Sequence, residues 1–112
     1  EAAPRGSPIV IIGAGDTGAR VLRFLNEEER AGRHVVGFLD DDVRRHGNRI
    51  RGSPVLGGRP RLPGLIRDAG VREVLVALTD PPGELLQYIQ RCCEPYGVAW
   101  RVVAAGIMHP HG

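Results

Sequence analysis

The sequence predicts an α/β fold in which a parallel sheet carries helices on both of its faces. Three predicted helices end at Gly32, Gly70 and Gly97, and a strand rich in β-branched residues follows each of them. This repeated unit of helix, glycine and strand implies right-handed crossovers between parallel strands. The first strand, residues 8–12, is apolar on both faces, which is typical of a central strand covered by helices on each side.

Taken in chain order, the elements predict a three-layer unit whose five parallel strands have the order 3-2-1-4-5. The predicted strands are residues 8–12, 35–39, a turn and short strand within 50–58, 71–78 and 98–104. The predicted helices are residues 16–31, residues 62–69, and a third helix that Thr79 or Asp80 caps and whose apolar face includes Tyr96. We expect residues 8–104 to form the domain, residues 1–7 a linker or tag remnant, and residues 105–112 a tail.

A glycine-rich turn joins the first strand to the first helix with the spacing Gly-x-Gly-x-x-Gly. In a dinucleotide site, Gly13 permits the tight turn, Gly15 lets a pyrophosphate approach the backbone, and Gly18 lets the helix pack close to the sheet. The amides at the start of the helix and its dipole favour bound phosphates. Asp40, an acid 22 positions after Gly18, ends the second strand. This context predicts one mononucleotide-binding half of a Rossmann fold, and the alternative is a glycine-rich turn without a ligand.

The predicted cofactor site takes residues from the ends of three strands. Asp40 is expected to accept hydrogen bonds from ribose hydroxyls. Thr79 follows the fourth strand, across the switch point from the glycine turn. Asp16 is expected to cap the helix and to point away from the phosphate, because a carboxylate beside a pyrophosphate repels it. The predicted set is Gly13, Ala14, Gly15, Asp16, Thr17, Gly18, Asp40, Asp41, Arg44 and Thr79, with a solvated turn acid as the alternative for Asp40 and Asp41.

The basic residues exclude several kinds of chemistry. All 15 of them are arginines, so the chain has no lysine for a phosphate-binding P-loop, a Schiff base or a Tyr-x-x-x-Lys pair. Seven arginines and no acid lie between residues 43 and 67. A solvated basic loop is the prediction for most of them, whereas Arg44 and Arg45 are placed to meet a 2′-phosphate. Asp40 favours NAD, because its carboxylate would repel the 2′-phosphate of NADP, whereas these two arginines favour NADP. The cofactor prediction is therefore NAD or NADP.

Other residue patterns predict neither a metal site nor a catalytic group. The sequence lacks Cys-x-x-Cys, and the adjacent Cys92 and Cys93 indicate reduced thiols in a cytoplasmic protein. His109 and His111 have a spacing that could bind metal, but a terminal tail is the favoured interpretation. No apolar run reaches the length that spans a bilayer, about 20 residues, so we expect no membrane insertion by this fragment. The net charge of +2 favours no nucleic-acid partner.

The chain resembles the Rossmann-type, CoA-binding-like domain of bacterial polysaccharide-biosynthesis proteins, among them nucleotide-sugar 4,6-dehydratases and some lipid-linked sugar-phosphate transferases. The resemblance extends over residues 8–103. The residues that carry it are Ile11-Ile12-Gly13-Ala14-Gly15-Asp16-Thr17-Gly18, Val36-Gly37-Phe38-Leu39-Asp40-Asp41-Asp42, Pro54-Val55-Leu56-Gly57 and Val74-Leu75-Val76-Ala77-Leu78. The resemblance implies an NAD(P)- or nucleotide-binding module of a larger protein, located on the cytoplasmic side of the inner membrane.

Two alternative functions stay open at this stage. The chain could be the cofactor half of a dehydrogenase or dehydratase whose catalytic half lies elsewhere. It could also be a redox- or nucleotide-sensing regulatory domain that works as a homodimer. Hydride transfer needs a positioned acid or base, and the sequence brings no such group to the switch point. We therefore expect the isolated chain to bind a nucleotide but to catalyse no reaction, whatever the parent enzyme does.

Overall fold

A computed structural model describes residues 6–27, 32–104 and 107–108. A seven-stranded sheet carries helix α1 on one face and helices α2 and α3 on the other. The strands are β1 (Ser7–Ile12), β2 (Arg33–Leu39), β3 (Arg49–Ile50), β4 (Ser53–Gly57), β5 (Glu73–Val76), β6 (Ala99–Ala104) and β7 (Ile107–Met108). The helices are α1 (Asp16–Glu27), α2 (Leu62–Asp68) and α3 (Gly83–Cys93).

The sheet has the order β3-β4-β2-β1-β5-β6-β7. The expected α/β class with a mainly parallel sheet is confirmed, because β4, β2, β1, β5 and β6 pair in parallel. The expected five strands in the order 3-2-1-4-5 are wrong, because a two-residue antiparallel strand flanks the parallel set at each edge. At one edge, the segment predicted as a turn and a single strand folds as the β3–β4 hairpin. Its two turn residues, Arg51 and Gly52, have φ values of 49° and 88°.

Two apolar cores lie on opposite faces of the sheet. Side chains alternate between the faces along each strand, so β1 sends Val10 and Ile12 to one core and Ile9 and Ile11 to the other. Helix α1 covers one core with Val21, Leu22 and Leu25, whereas α2 and α3 cover the other with Leu62, Leu65, Ile66, Leu85, Ile89 and Cys93. The expected helices on both faces are therefore confirmed.

The start of α3 differs from the prediction. Neither Thr79 nor Asp80 caps it, since the N-cap residue is Pro82, in an extended conformation with no side-chain cap bond. Asp80 and Pro81 each precede a proline and are therefore disfavoured in helical geometry, so the helix begins only at Gly83. At the other end, Tyr96 is 55% exposed and does not join the apolar face as predicted.

Among the described residues of the sheet, Glu73 on β5 is the charged one that is buried, with 8% of its surface exposed. Its two carboxylate oxygens lie 3.1 Å from Nε of Arg33 on β2 and 2.8 Å from Nε of Arg101 on β6. The pairs join strands on either side of the centre of the sheet. They lie away from the carboxyl ends of β1, β2, β4 and β5. These strand ends lie side by side and carry the candidate site.

Candidate functional site

The glycine turn is held between the ends of three neighbouring strands. Gly13 has a φ of 109°, and its amide donates to the carbonyl oxygen of Leu39 at 2.7 Å. A Cβ at this position would lie 2.6 Å from the carbonyl oxygen of Ala77. Both the backbone conformation and the close approach of Ala77 therefore require glycine here, in agreement with the tight turn expected from the sequence.

Gly18 brings α1 against the glycine turn. A Cβ at Gly18 would lie 1.9 Å from the carbonyl oxygen of Gly13 and 3.2 Å from the ring of Phe38 on β2. A backbone atom cannot move aside as the end of a side chain can, so a side chain at this position would push the helix off the sheet. The structure thus gives Gly18 the packing role that the motif predicts.

Gly15 differs from the other two glycines because the packing of the chain leaves space at this position. A Cβ there would have the guanidinium of Arg45 as its nearest neighbour, at 3.7 Å, which is an ordinary van der Waals contact. The carbonyl oxygen of Gly15 accepts a hydrogen bond from the amide of Ala19 at 3.0 Å. Because this is the first hydrogen bond of α1, the amides of Asp16, Thr17 and Gly18 have no partner within the helix.

Asp40 connects the end of β2 to the glycine turn. Its Oδ2 accepts a hydrogen bond from the amide of Ala14 at 2.7 Å, and its Oδ1 accepts one from the amide of Asp42 at 2.8 Å. The carboxylate is 15% exposed. Each carboxylate oxygen has a second lone pair, so Asp40 keeps the capacity to accept hydrogen bonds from a ligand.

A cleft of about 430 Å³ lies over the glycine turn. Its walls come from the start of α1, the end of β2 and the loop after β5. The lining residues are Gly15, Asp16, Thr17, Asp40, Asp42, Arg45, Ala77, Leu78 and Thr79. Asp16 and Thr79 are exposed and line this space, so the structure does not separate Asp16 from the cleft as the sequence analysis expected. The volume falls within the range of small-molecule sites, about 300–1,000 Å³.

A second cavity, here called the slot, has a volume of about 120 Å³ and adjoins the cleft. Its lining residues are Ile12, Gly13, Leu39, Asp40, Asp41, Arg59, Leu78, Pro82 and Leu85. Most of these are apolar, and the charged ones are Asp40, Asp41 and Arg59. Asp40 and Leu78 line both cavities, so the carboxylate at the end of β2 stands where the slot and the cleft meet.

Arg59 lines the slot and is bound to two carboxylates, of which Asp41 also lines the slot. Its Nε and Nη2 atoms lie 2.9 and 2.7 Å from Oδ2 of Asp41, and its Nη1 and Nη2 atoms donate to Glu84 in the first turn of α3. Its guanidinium also lies over the ring of Tyr88, 5.9 Å from the centroid. The hydrogen bonds from Arg59 hold the pKa of Asp41 below its usual value. This cluster joins the segment after β4 to β2 and α3.

Arg44 is bound to a neighbouring carboxylate rather than directed at the cleft. Its Nε and Nη2 atoms each donate to Asp42 at 3.0 Å, as does its backbone amide, and its side chain is 86% exposed. These hydrogen bonds lower the pKa of Asp42 to about 2. Arg45, the next residue, lies instead across the cleft, where its Nη1 donates to the carbonyl oxygen of Ala14 at 2.9 Å.

The structure brings most of the predicted site residues to one edge of the sheet. Gly15, Asp16, Thr17, Asp40 and Thr79 line the cleft, and Gly13, Asp40 and Asp41 line the slot. Ala14, Gly18 and Arg44 line neither cavity. The sequence analysis did not assign Arg59, Pro82 and Leu85 to the site. Arg59 follows β4, and the carboxyl ends of parallel strands share an edge of the sheet, so its position after Gly57-Gly58 was the available signal.

The part of the chain that the structure describes contains no group of three or more His, Cys, Asp or Glu residues placed to hold a metal ion. His109 and His111 lie outside the described residues. None of the helices described is long and apolar enough to cross a bilayer.

Comparison with known proteins identifies relatives of this chain. A family model described as a CoA-binding domain matches residues 2–105. The probable polysaccharide biosynthesis protein EpsC of Bacillus subtilis (strain 168) is 28% identical over 97 residues, which are 87% of this chain. These residues span only 16% of the length of that relative.

Two solved structures share the fold. UDP-D-quinovosamine 4-dehydrogenase from Vibrio fischeri superposes with a TM-score of 0.78 at 19% identity, over 96% of this chain and 94% of that one. RSP in complex with β-NADH superposes with a TM-score of 0.71 at 20% identity, over 90% of this chain and 47% of that one. At these identities the likeness establishes the fold alone.

The family match and the polysaccharide-biosynthesis relative confirm the resemblance found in the sequence. The match covers nearly the whole chain, including the glycine turn, the end of β2 and the loop after β5. The chain belongs to the CoA-binding domain family.

Proposed function

We propose that this chain is a nucleotide-binding module that holds the adenosine diphosphate part of NAD(H) or NADP(H). The observation that carries the proposal is the space at Gly15. Sterics require glycine at positions 13 and 18, but at Gly15 a Cβ would meet only the end of a side chain. A ligand that must approach the backbone closely supplies the missing reason for a glycine at this position.

The start of α1 offers a site for the two phosphates. The amides of its first turn have no partner within the helix, and the helix dipole places partial positive charge at this end. The cleft over the glycine turn gives access to these amides. A pyrophosphate placed over Gly15 would accept hydrogen bonds from them.

The slot and Asp40 match the other half of the ligand. A nucleotide runs from base through ribose to phosphate, and the structure has an apolar slot, a carboxylate at the junction and a cleft over a helix start. In this arrangement the adenine lies in the slot, beside Leu39 and Leu85. The ribose hydroxyls donate to the free lone pairs of Asp40.

The choice of cofactor depends on the charges around Asp40. A carboxylate at the ribose repels a 2′-phosphate and so favours NAD, whereas Arg45, which lines the cleft, opposes this preference. CoA also contains adenosine diphosphate, and the family is described as a CoA-binding domain. The structure of RSP with β-NADH supports a nicotinamide dinucleotide in this fold. We favour NAD(H) or NADP(H) and treat CoA as a competitor to be tested.

The parent protein is proposed to act in polysaccharide or nucleotide-sugar biosynthesis. EpsC supports this assignment, although the chain matches only 16% of its length. A finer assignment to the UDP-sugar 4,6-dehydratases comes from the resemblance of the motifs at residues 11–18 and 36–42. With that assignment we propose a cytoplasmic location for the domain, at the inner membrane where the parent is anchored.

Titration calorimetry with the purified chain tests the binding function. NAD, NADP, CoA and ADP-ribose are compared with UDP, which has the pyrophosphate but no adenine. We expect the adenine ligands to bind and UDP not to bind, and we expect Gly15→Val to abolish binding while the thermal unfolding transition persists. Failure of every adenine ligand to bind, or equal affinity in the variant, would refute the proposal.

A second candidate is the cofactor-binding part of a sugar dehydrogenase. The observation that favours it is the match to UDP-D-quinovosamine 4-dehydrogenase, of whose chain 94% is covered. Incubation of the purified chain with NAD(P)⁺ and a panel of UDP- and dTDP-sugars, followed by product analysis, separates the candidates. A binding module forms no product, whereas sustained turnover would locate a catalytic site within these residues.

A third candidate is a nucleotide-sensing regulator that works as a homodimer. RSP, a Rex-family repressor, has been solved with β-NAD⁺ and operator DNA, and it superposes with a TM-score of 0.71. The absence of a nucleic-acid partner therefore stays a prediction. Sedimentation of the chain with and without NADH, and with duplex DNA, tests the dimer and the DNA partner directly.

A further inference from the structure

Arg45 lies where the proposed pyrophosphate would approach the glycine turn. Its Cζ, Nη1 and Nη2 atoms lie 3.9, 3.7 and 3.8 Å from the position of a Cβ on Gly15. Three nearly equal distances mean that the flat guanidinium faces Gly15. The side chain comes from the short 3₁₀ turn at Val43–Arg45, after β2, and is 44% exposed. A cation from a different segment thus lies over the space that the open glycine leaves.

Most of the hydrogen-bond donors of Arg45 are available to a ligand. Among the described residues, its one hydrogen bond runs from Nη1 to the carbonyl oxygen of Ala14. Its Nε lies 3.6 Å from Asp42 and 3.8 Å from Asp40, too far for hydrogen bonds. A guanidinium has five N–H donors. Arg59 and Arg44, by contrast, each direct several N–H groups at carboxylates.

The charges around the cleft also require a cation at this position. Asp16, Asp40 and Asp42 all line the cleft, and each carboxylate would repel a phosphate. The carboxylates of Asp40 and Asp42 are the two that lie close to Nε of Arg45. Arg44 offsets part of the charge of Asp42 from the exposed side. Arg45 is the cation that lies between the two carboxylates and the glycine turn, so its charge offsets their repulsion where the phosphates would lie.

We propose that Arg45 is a phosphate-binding residue of this site. When a nucleotide binds, the guanidinium turns from the carbonyl oxygen of Ala14 onto the pyrophosphate and holds it against the start of α1. This role rests on the proposed nucleotide-binding function and adds to it a residue that comes from outside the glycine motif. It also predicts that ADP binds more tightly than adenosine, which has the same base and ribose but no phosphate.

The test compares two ligands and three arginine variants of the whole chain. ADP carries the pyrophosphate, and adenosine carries only the base and ribose. Arg45→Ala removes the proposed contact, and Arg49→Ala removes the same charge from the same basic segment at an exposed position outside both cavities. Calorimetry measures ADP binding, NMR chemical-shift titration measures adenosine binding, and circular dichroism checks that each variant is folded.

In Arg45→Ala we expect the affinity for ADP to fall by at least about tenfold and that for adenosine to change by less than about twofold. Arg49→Ala should lower the affinity for ADP by less than about threefold, through long-range electrostatics alone. Arg45→Gln, which keeps donors but loses the charge, should lie between Arg45→Ala and the wild type.

Three results would overturn this role. Tighter ADP binding by Arg45→Ala would show that the guanidinium blocks the site. An equal loss of ADP and adenosine affinity would show that it only braces the glycine turn. An equal effect of Arg45→Ala and Arg49→Ala would show that net charge alone matters. A wild-type chain that binds neither ligand would instead refute the proposed function, and the role of Arg45 with it.

Discussion

Asp40 and Ala14, 26 positions apart in the chain, are joined by a hydrogen bond of 2.7 Å from the amide of Ala14 to Oδ2 of Asp40. The residue predicted to bind a ribose therefore also fixes the glycine turn to the end of β2. A ligand that accepts hydrogen bonds from the amides of the turn and donates one to Asp40 would contact both of the segments that this hydrogen bond joins. Binding and local stability are thus expected to depend on the same carboxylate.

We predict that Asp40→Ala lowers the free energy of unfolding by about 1.5–3 kcal/mol, because the amides of Ala14 and Asp42 lose a charged acceptor. Asp40→Asn should lower it less, since the amide oxygen still accepts one of the two hydrogen bonds. Urea denaturation measures both. Asp68→Ala is the control: its carboxylate is 80% exposed, and a change within about 0.5 kcal/mol is expected. Equal stability of Asp40→Ala and the wild type would contradict the bracing role.

The addition of one methyl group should destabilise the protein strongly at Gly18 but only slightly at Gly15. Gly18→Ala places a Cβ 1.9 Å from the carbonyl oxygen of Gly13, so we expect a loss of about 3 kcal/mol in the free energy of unfolding. In Gly15→Ala the new Cβ meets only the guanidinium of Arg45, at 3.7 Å, so the free energy of unfolding should change by less than about 1 kcal/mol. Thermal unfolding of the two variants under the same conditions provides the measurement. A large loss in Gly15→Ala would remove the main support for the proposed function.

The sequence allowed prediction of the parts of the structure that depend on local chemistry. Gly13 and Gly18 are needed for reasons of backbone conformation and close packing, and those reasons are implicit in the motif. The alternation of buried and exposed residues, and the helix-ending Gly70 and Gly97, indicated the α/β alternation. These signals extend over a few residues, so a single sequence is enough to detect them.

The features that were missed depend on contacts between distant segments or on very short elements. Strands β3 and β7 have two residues each, too few to show a periodicity, and a turn with Arg51 at positive φ lacks the usual Asn-Gly signal. Arg59 reaches Asp41 and Glu84 over 18 and 25 positions, and no local pattern announces such pairs. The late start of α3, by contrast, could have been predicted from the local sequence, because Pro81-Pro82 disfavours a helix that starts at Thr79.

Glu73 is predicted to contribute more to stability than an exposed ion pair does. Glu73→Gln removes the negative charge that pairs with both Arg33 and Arg101, and we expect it to lower the free energy of unfolding by about 2 kcal/mol. The loss should be no larger, because both arginines are partly exposed and water can solvate the charges left without a partner. The control is Glu27→Gln, whose pair with Arg23 lies on the exposed face of α1, and a change below about 0.5 kcal/mol is expected there. Similar losses of unfolding free energy in both variants would show that the buried pairs of Glu73 stabilise the protein no more than an exposed ion pair does.

The adjacent cysteines of α3 are predicted to differ in reactivity. Cys93 lies in the core with 1% of its surface exposed, whereas Cys92 is partly exposed. Burial raises the pKa of the Cys93 thiol to about 12. Alkylation needs the thiolate and access to it, so in the folded protein iodoacetamide at pH 8 should modify Cys92 and leave Cys93 intact. Peptide mass mapping before and after unfolding in urea measures this difference.

The same pKa shift gives the sign of an effect on stability at high pH. The thiol of Cys93 loses its proton near pH 9.0 when the chain is unfolded, but only near pH 12 when it is folded. The unfolded state therefore binds fewer protons between these values, and the free energy of unfolding falls as the pH rises above about 9. Cys93→Ala should reduce this dependence, and the pKa of Tyr88, which burial also raises, accounts for part of what remains. Cys93→Ala should also lower stability at neutral pH through the cavity it creates, whereas Cys92→Ala should retain the dependence. Urea denaturation of both variants at pH 7 and pH 10 provides the comparison, and an unchanged alkaline loss in Cys93→Ala would assign it to another group.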